Sequence, residues 1–128
     1  AARQLIEPFL AGLAVDRMDD AVVRQLQELV DAGWERYREK DHAGGMEIDR
    51  RFHHLLYDTA DNRTLSDFAA LLLDRSMLLW FRPKVDAGER ANVAELEDML
   101  DHIRRGDRDG AVRTMAAHVG SIRQKYLG

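Results

Sequence analysis

The sequence has no cysteine among its 128 residues. Without thiols it cannot form a disulfide scaffold, a thiolate zinc site or a cysteine nucleophile, and their absence agrees with a reducing compartment. It also lacks an apolar run long enough to span a bilayer and a signal-peptide pattern at its start. We therefore expect a soluble, cytoplasmic protein with no membrane partner, organised as one domain over residues 1–128.

Excess positive charge is also missing. The formal net charge is -4 and the isoelectric point is near 5.7, with the basic residues scattered among acids. Neutralising the phosphates of DNA needs a concentrated positive face. We therefore expect that this chain does not bind nucleic acid by itself.

Proline is scarce, and most glycines fall between stretches whose apolar residues recur every three or four positions. This pattern predicts an all-α fold, an antiparallel bundle joined by short loops. We expect six helices. The first covers residues 3–15, the second follows an N-cap at Asp19 or Asp20, and the third ends near Ala60. The fourth runs from Thr64 or Ser66 to Pro83, the fifth covers residues 91–105, and the sixth runs from an N-cap at Asp107 to about Tyr126. Residues 40–45 and 83–90 are predicted loops.

The first and fourth predicted helices carry specific packing predictions. In the first, Leu5, Phe9 and Leu13 share a stripe that we expect to face inward. The fourth has apolar residues all round, among them Leu71 and Leu78. A helix of that kind is buried, so we expect it to be the central helix of the bundle.

Asp49 and His53 stand four residues apart in the third predicted helix, within the segment IDRRFHHLLY. This spacing places both side chains on one face, where they can share a metal ion or hydrogen-bond to each other. The pair lies beside Phe52 and above Leu56, on the flank that turns toward the core. A metal site and a structural pair therefore remain open, and the metal site needs further ligands.

The other histidines differ in their surroundings. His118 shares its face with apolar residues of the last predicted helix, so it either bonds to a buried acceptor or binds a ligand. His102 stands four residues after Asp98, but both belong to a polar stripe that we expect to face solvent. His42 falls in a predicted loop, and His54 is expected to face outward.

Several segments together resemble one family. They are the opening RQLIEPFLAGLA, the segment DRRFH, the turn at Asn62, Arg75 in the fourth predicted helix and the closing IRRGDRDGAVRTMAAHV. Their order and spacing resemble the C-terminal effector domain of GntR-type transcriptional regulators of the FadR-like branch, the FCD domain. The resemblance covers essentially the whole chain.

The resemblance implies an antiparallel bundle of six to seven helices that forms a homodimer and encloses a small-molecule pocket. In full-length family members, a winged helix-turn-helix domain precedes this bundle and reads DNA. We expect that this chain does not include that domain, and the resemblance then implies that DNA is bound only through it.

The resemblance also implies a metal site. Many family members hold a divalent metal with one aspartate and three histidines, and the metal holds the carboxylate of an organic-acid effector. Carried over position by position, the ligands are Asp49, His53 and His118. The remaining histidine position is occupied by Leu96, which cannot coordinate. The adjacent Glu95 is a possible substitute ligand, but it is not favoured because it lies about 100° away around the helix. Zinc or nickel would then keep three protein ligands, with water or the effector in the open positions.

Loss of the metal is the alternative, because some family members bind their effector without it. A carboxylate then needs a charge-assisted partner. Arg75 is the first candidate, since an unpaired arginine is costly on an apolar helix, and Arg3 and Asn62 complete the predicted effector contacts. The other interpretation of Arg75 is an ion pair with a core-facing acid such as Glu7 or Asp49.

These observations favour a ligand-sensing and dimerisation domain without catalytic activity, in which an effector modulates DNA binding. Two other functions remain open. A small helical-bundle metalloenzyme, a mononuclear metal hydrolase, would use the same three ligands and a general base, although the paired Glu-x-x-His motifs of di-iron enzymes are missing. A purely structural bundle would have a filled interior without a pocket.

Overall fold

The computed structural model describes residues 2–80 and 86–121, and these form six helices without a strand. The helices are α1 (Ala2–Asp16), α2 (Asp20–Arg38), α3 (His42–Ala60), α4 (Arg63–Trp80), α5 (Asp86–Arg104) and α6 (Arg108–Gly120). The predicted all-α fold is confirmed. Within these residues, no helix combines the length and the apolar character that crossing a membrane requires.

Short polar side chains cap four of the helices. Asp19, Asp41, Asn62 and Asp107 each accept a hydrogen bond from the backbone N–H three residues later, at 2.9, 2.9, 3.1 and 3.0 Å. Each bond satisfies an N–H group that the first helical turn leaves without an intrahelical partner. The predicted caps at Asp19 and Asp107 are confirmed, and Gly106 takes the left-handed conformation that closes α5, with φ of 66°.

The predicted loop over 40–45 is wrong. Helix α3 begins at His42, and only the residues just before it form the turn. Asp41 bonds to the backbone N–H of Gly44, and this cap outweighs the low helix propensity of the two glycines that follow.

The predicted loop over 83–90 is too long. Its last residues, 86–90, form the first turn of α5. The other predicted positions, including the helix end at Pro83, lie outside the described residues. Helix α6 ends at Gly120, and the predicted end near Tyr126 also lies outside the described residues.

Helix α3 lies at the centre of the bundle, where it packs against α1, α2, α4 and α5, while α6 packs against α1 and α5. Every helix contributes a large side chain to the core, and burying each one stabilises the fold by roughly 1.5–3 kcal/mol. These side chains include Leu10, Leu26, Phe52, Leu73, Leu96 and Met115. Helices α1 and α5 thus bring α3 and α6 close to each other beside this core.

Helix α4 is not the central helix, contrary to the sequence-based expectation. It packs against α1 and α3 and buries Ala69 and Leu73. Leu71 and Leu78 on its outer side are 50% and 83% exposed. A helix that is apolar all round can be buried against another chain as well as inside its own domain, so periodicity alone could not separate the two cases.

The predicted inward face of α1 is also wrong for two of its three residues. Leu5 is 79% exposed and Phe9 is 50% exposed, whereas Leu13 is half-buried. The buried face carries Arg3 and Glu7 instead. The apolar pattern predicted the wrong stripe because a charged pair, Arg3 and Glu7, occupies part of the face of α1 that packs against the core.

Candidate metal centre

Asp49, His53 and His118 meet in the interior of the bundle, although 65 residues separate the two histidines in the sequence. Helix α3 supplies Asp49 and His53 from neighbouring turns of one face, and α6 supplies His118. Helices α1 and α5 pack against both α3 and α6 and hold the three side chains together. All three residues are buried.

The three potential ligand atoms form a small triangle. Oδ1 of Asp49 lies 3.5 Å from Nε2 of His53 and 3.2 Å from Nε2 of His118, and the two Nε2 atoms are 3.2 Å apart. Ligands that lie about 2.1 Å from a tetrahedral ion are roughly 3.4 Å from each other. The triangle therefore fits three ligands around one ion of the size of zinc.

A carboxylate holds the far nitrogen of each imidazole ring. Nδ1 of His53 donates to Oε1 of Glu7 over 3.1 Å, and Nδ1 of His118 donates to Oε1 of Glu95 over 2.6 Å. With a proton on Nδ1 alone, both Nε2 atoms would present lone pairs toward Oδ1 of Asp49. Three converging acceptors repel one another unless a cation or a proton lies among them.

The carboxylate of Glu7 is fully buried, and several hydrogen-bond donors surround it. Nε and Nη2 of Arg3 donate to its Oε2 over 3.0 and 2.8 Å, and the hydroxyl of Tyr57 donates to the same oxygen over 2.7 Å. Burial alone would raise the pKa of Glu7, but the charge and hydrogen bond of His53 and the charge of Arg3 outweigh it and lower this pKa to about 2. Glu7 therefore stays ionised inside the core.

The same charges act on the neighbouring groups. Burial would lower the pKa of His53, but the carboxylates of Glu7 and Asp49 raise it to about 9. Burial would raise the pKa of Asp49, but the charge of His53 and hydrogen bonds from both histidines hold it well below its usual range. Burial and the charge of Glu7 raise the pKa of Tyr57. In the metal-free protein, a proton on His53 thus balances the carboxylates around it.

Helix α5 closes the centre from the other side. Nδ2 of the buried Asn92 donates to Oδ1 of Asp49 over 3.2 Å, and Glu95 holds His118. Leu96 follows Asn92 by four residues on the same face and is 1% exposed. Among the described residues, no fourth histidine or carboxylate joins the group. The position predicted for the missing histidine is therefore filled by a packed apolar side chain.

The three predicted effector contacts lie in different places. Arg75 is exposed on α4, so the expectation that it points into an apolar core and pairs with Glu7 or Asp49 is wrong. The reason is that α4 is peripheral. Asn62 uses its Oδ1 to cap α4. Arg3 reaches the centre indirectly, through its bonds to Glu7.

The remaining histidines have other partners or positions. Nδ1 of His102 donates to Oδ2 of Asp107 over 2.9 Å, at the corner between α5 and α6. His42 lies in the first turn of α3 and pairs with Glu89. His54 is half-buried on the outer side of α3.

Sequence analysis missed the roles of Glu7, Tyr57 and Asn92. The sequence pattern suggests Glu7 only as a partner for Arg75, and Glu95 only as a substitute ligand. One signal was available, because Arg3 and Glu7 continue at helical spacing into the buried stripe of Leu10 and Ala14 on α1. Asn92 and Tyr57 carry no comparable signal, since their partners lie on distant helices.

A small cavity adjoins the centre between α2, α3 and α5. Its volume is about 20 Å³, which is room for about one water molecule. Its walls include Gly33, Tyr37, His42 and also Asn92, which bonds to Asp49. A ligand of several heavy atoms would therefore need these walls to move.

The sequence and the fold both have counterparts among known proteins. The model of a family described as the FCD domain matches residues 1–121. No curated protein matches the sequence.

Two solved structures share the fold. McbR/YncC from E. coli is 18% identical, with a TM-score of 0.79, and the match covers 98% of this chain and 66% of that one. GntR from Streptococcus agalactiae is 21% identical, with a TM-score of 0.75, covering 96% of this chain and 55% of that one. The chain thus spans about two thirds or less of the length of these proteins.

Proposed function

The chain belongs to the FCD domain family, and on this premise we propose that it is the ligand-sensing and dimerisation domain of a cytoplasmic GntR-type transcriptional regulator of the FadR-like branch. Asp49, His53 and His118 hold a zinc ion, and a small carboxylate effector binds beside them. Effector binding modulates the DNA binding of an N-terminal winged helix-turn-helix domain. The domain itself has no catalytic activity.

The orientation of the two histidine rings carries the proposal of a metal. Each ring donates a hydrogen bond from its Nδ1–H to a carboxylate, Glu7 or Glu95, so that both Nε2 atoms converge on Oδ1 of Asp49. Metal-binding histidines almost always donate their other ring N–H to a carboxylate, a backbone carbonyl or water, which fixes the tautomer and the orientation of the ring. A satisfied pair of core histidines would not need two backing carboxylates and a third acceptor at the point of convergence.

The spacing of the ligand atoms is compatible with zinc, which we take as the ion of this proposal. Distances of 3.2 to 3.5 Å among the three atoms are near the roughly 3.4 Å of a tetrahedral site. Neighbouring ligands of an octahedral ion with similar bond lengths would be roughly 3.0 Å apart. When bound, zinc would supply a Lewis-acid position open to an oxygen anion, because Leu96 contributes no ligand.

A carboxylate effector suits this arrangement better through the metal than through an arginine. Arg3 already makes two hydrogen bonds to Glu7, and Arg75 lies on the exposed side of α4. Glu95 retains 27% of its side-chain exposure, so the centre is closest to solvent on that side. We therefore assign the effector to the open metal position, approached past Glu95.

A second copy of the chain is the partner we propose for the exposed apolar side chains of α1 and α4. These two helices pack against each other, and their outer sides carry Leu5, Phe9, Phe68, Leu71 and Leu78, which we call the apolar α1–α4 face. Large exposed apolar patches of this kind mark interaction sites, and most homo-oligomers are symmetric dimers. Arg75 lies on the same stripe of α4, so this face also accounts for its exposure.

A mononuclear hydrolase remains the second candidate, because three protein ligands with an open position are typical of catalytic zinc sites. The nearest carboxylate that could act as general base is Glu95. Its Oε1 is bonded to Nδ1 of His118, which argues for a positioning role. Turnover of simple esters or amides by the zinc-loaded domain would favour the hydrolase, and we expect none.

Calorimetric titration with zinc tests the metal. We expect one ion per chain in the parent and loss of binding in Asp49→Asn, which removes a ligand charge at nearly constant volume. Nickel titrated in parallel should bind more weakly. A parent that binds neither ion would overturn the proposed centre, and native mass spectrometry of the purified domain would show independently whether it carries a metal, a small acid or both.

Sedimentation analysis tests the dimer. Leu71→Glu places a charge in the apolar α1–α4 face and should shift the protein to monomer. The matched control is Ala21→Glu on the exposed side of α2, which should leave the dimer unchanged. A monomeric parent at high micromolar concentration would contradict the proposal.

A further inference from the structure

We propose that Glu7 is a positioning residue of the metal centre and that it makes α1 part of that centre, so that metal binding and the docking of α1 on α3 strengthen each other. This inference rests on the proposed zinc site. It concerns a residue that contacts no metal ion itself and acts through His53.

Glu7 joins α1 to a metal ligand. Its Oε1 accepts a hydrogen bond from Nδ1–H of His53 over 3.1 Å, and its side chain is fully buried. An imidazole can carry its proton on either nitrogen, and the acceptor at one nitrogen decides which is free to bind. Glu7 therefore holds the proton on Nδ1 and leaves the lone pair of Nε2 directed at Asp49 and His118.

The carboxylate of Glu7 is itself fixed from both helices. On α1, Arg3 donates two hydrogen bonds to Oε2 from one turn away. On α3, Tyr57 donates to Oε2 over 2.7 Å, while His53, one turn earlier, donates to Oε1. One carboxylate thus spans two donors on neighbouring turns of α3, and it has little freedom to change rotamer. Because Glu7 is held in this way, the orientation of the His53 ring depends on the position of α1.

Thermodynamic linkage then makes the effect reciprocal. If docked α1 favours the metal-binding orientation of His53, bound metal must favour docked α1 by the same factor. Helix α1 also carries Leu5 and Phe9 of the apolar α1–α4 face on its opposite side. Metal binding at the centre would therefore also stabilise the position of the apolar α1–α4 face, which is proposed to bind the second copy.

The other backing carboxylate provides a matched control. Glu95 holds His118 in the same way, but it lies on α5. Glu7→Gln and Glu95→Gln remove the same charge from the partner of one histidine each. They differ in the helix that carries the carboxylate, which is α1 for Glu7 and α5 for Glu95.

The experiment combines zinc titration by calorimetry with hydrogen exchange of the α1 amides, with and without saturating zinc. In the parent, zinc should slow exchange along α1. Glu7→Gln should lower zinc affinity by about 10–100-fold, the range found for outer partners of metal ligands, and the slowing in α1 should disappear at saturation. Glu95→Gln should also lower affinity, but saturating zinc should still slow exchange in α1.

Each result has a defined meaning. Parent-like zinc affinity in Glu7→Gln, or parent-like slowing of α1 at saturation, overturns the inference while leaving the zinc site intact. A parent that binds no zinc removes the proposed function and the inference together. If Glu7→Gln does not fold, Tyr57→Phe takes its place, because it keeps the Glu7 charge and removes one of the two donors on α3. That variant should lose several-fold in zinc affinity and part of the α1 slowing, and unchanged values would overturn the inference.

Discussion

The two histidines of the centre are held by carboxylates in unlike surroundings. On one side, which we call the Glu7 side, His53 bonds to a carboxylate with no solvent exposure that also receives bonds from Arg3 and Tyr57. On the Glu95 side, His118 bonds to a carboxylate that is 27% exposed.

The difference separates two tasks within one site. A buried ionised group whose partner is removed destabilises the fold strongly, whereas a partly solvated one costs less because water compensates. The Glu7 side should therefore contribute to folding with or without metal. The Glu95 side should matter mainly for binding, because ions and ligands can approach it from solvent.

The largest expected effect comes from removing a ligand on each side. His53→Ala and His118→Ala should each lower zinc affinity more than roughly 100-fold, beyond the range for an outer partner. The metal-free proteins should differ, because His53→Ala leaves Glu7 and Asp49 without their shared cation and should cost about 3 kcal/mol. His118→Ala should cost about half of that. Urea unfolding with a chelator measures both, and equal losses would break the comparison.

The next largest effect on the free energy of unfolding concerns Arg3, the arginine on the Glu7 side. Arg3→Met keeps most of the side-chain volume but leaves Glu7 without its guanidinium, so the free energy of unfolding should fall by about 3 kcal/mol. Glu95→Ala, the corresponding change on the other side, should cost about 1 kcal/mol. Both are measured by urea unfolding of the metal-free protein at neutral pH. A larger loss in Glu95→Ala would reverse the assignment of the two sides.

The pH dependence of stability sharpens the same comparison. The pKa of His53 is raised from its ordinary 6.5 to about 9 in the folded protein. Its contribution to stability is therefore complete below pH 6.5 and is lost as the pH rises through about 9, a change on the order of 3 kcal/mol. The metal-free protein should unfold more easily at pH 9.5 than at pH 6, and His53→Gln should flatten this profile.

With saturating zinc, the loss of stability at high pH should be reversed, and this measurement is the control for the metal-free profile. Binding requires the proton to leave His53, so zinc affinity should rise between pH 6 and pH 9. Thermal unfolding at both pH values, with chelator and with saturating zinc, follows the two trends together. A metal-free profile that is flat over this interval would contradict the proposed role of His53 as the balancing cation.

The smallest expected effect concerns Leu96, which follows Glu95 on α5. Leu96→His adds a fourth possible ligand, and zinc affinity should rise by about tenfold or more, whereas Leu96→Ala opens space without adding one. Without metal, the histidine variant should lose about 1–3 kcal/mol, because a buried leucine is replaced and a nitrogen can be left unpaired. Calorimetric titration measures the zinc affinity of the parent and of both variants. Equal zinc affinities would mean that position 96 does not face the site.

Local pattern in the sequence was sufficient for much of the fold. The caps at Asp19 and Asp107 and the turn at Gly106 follow from side chains that bond to backbone a few residues away. The relation between Asp49 and His53 is equally local, since helical geometry alone puts residues four apart on one face. His118 could be linked to them only through the family resemblance, because nothing in the local pattern connects α6 to α3.

Tertiary structure decided the rest, for a physical reason. Two stripes of α1 were available for burial, and the choice of the one with Arg3 and Glu7 depends on partners that α3 provides, His53 and Tyr57. In the same way, Glu95 became the partner of a histidine rather than a ligand because α6 lies against α5. A buried charge is stable only where distant groups compensate it. The sequence by itself determined the helices and their candidate ligands, while packing determined which charges meet and are buried.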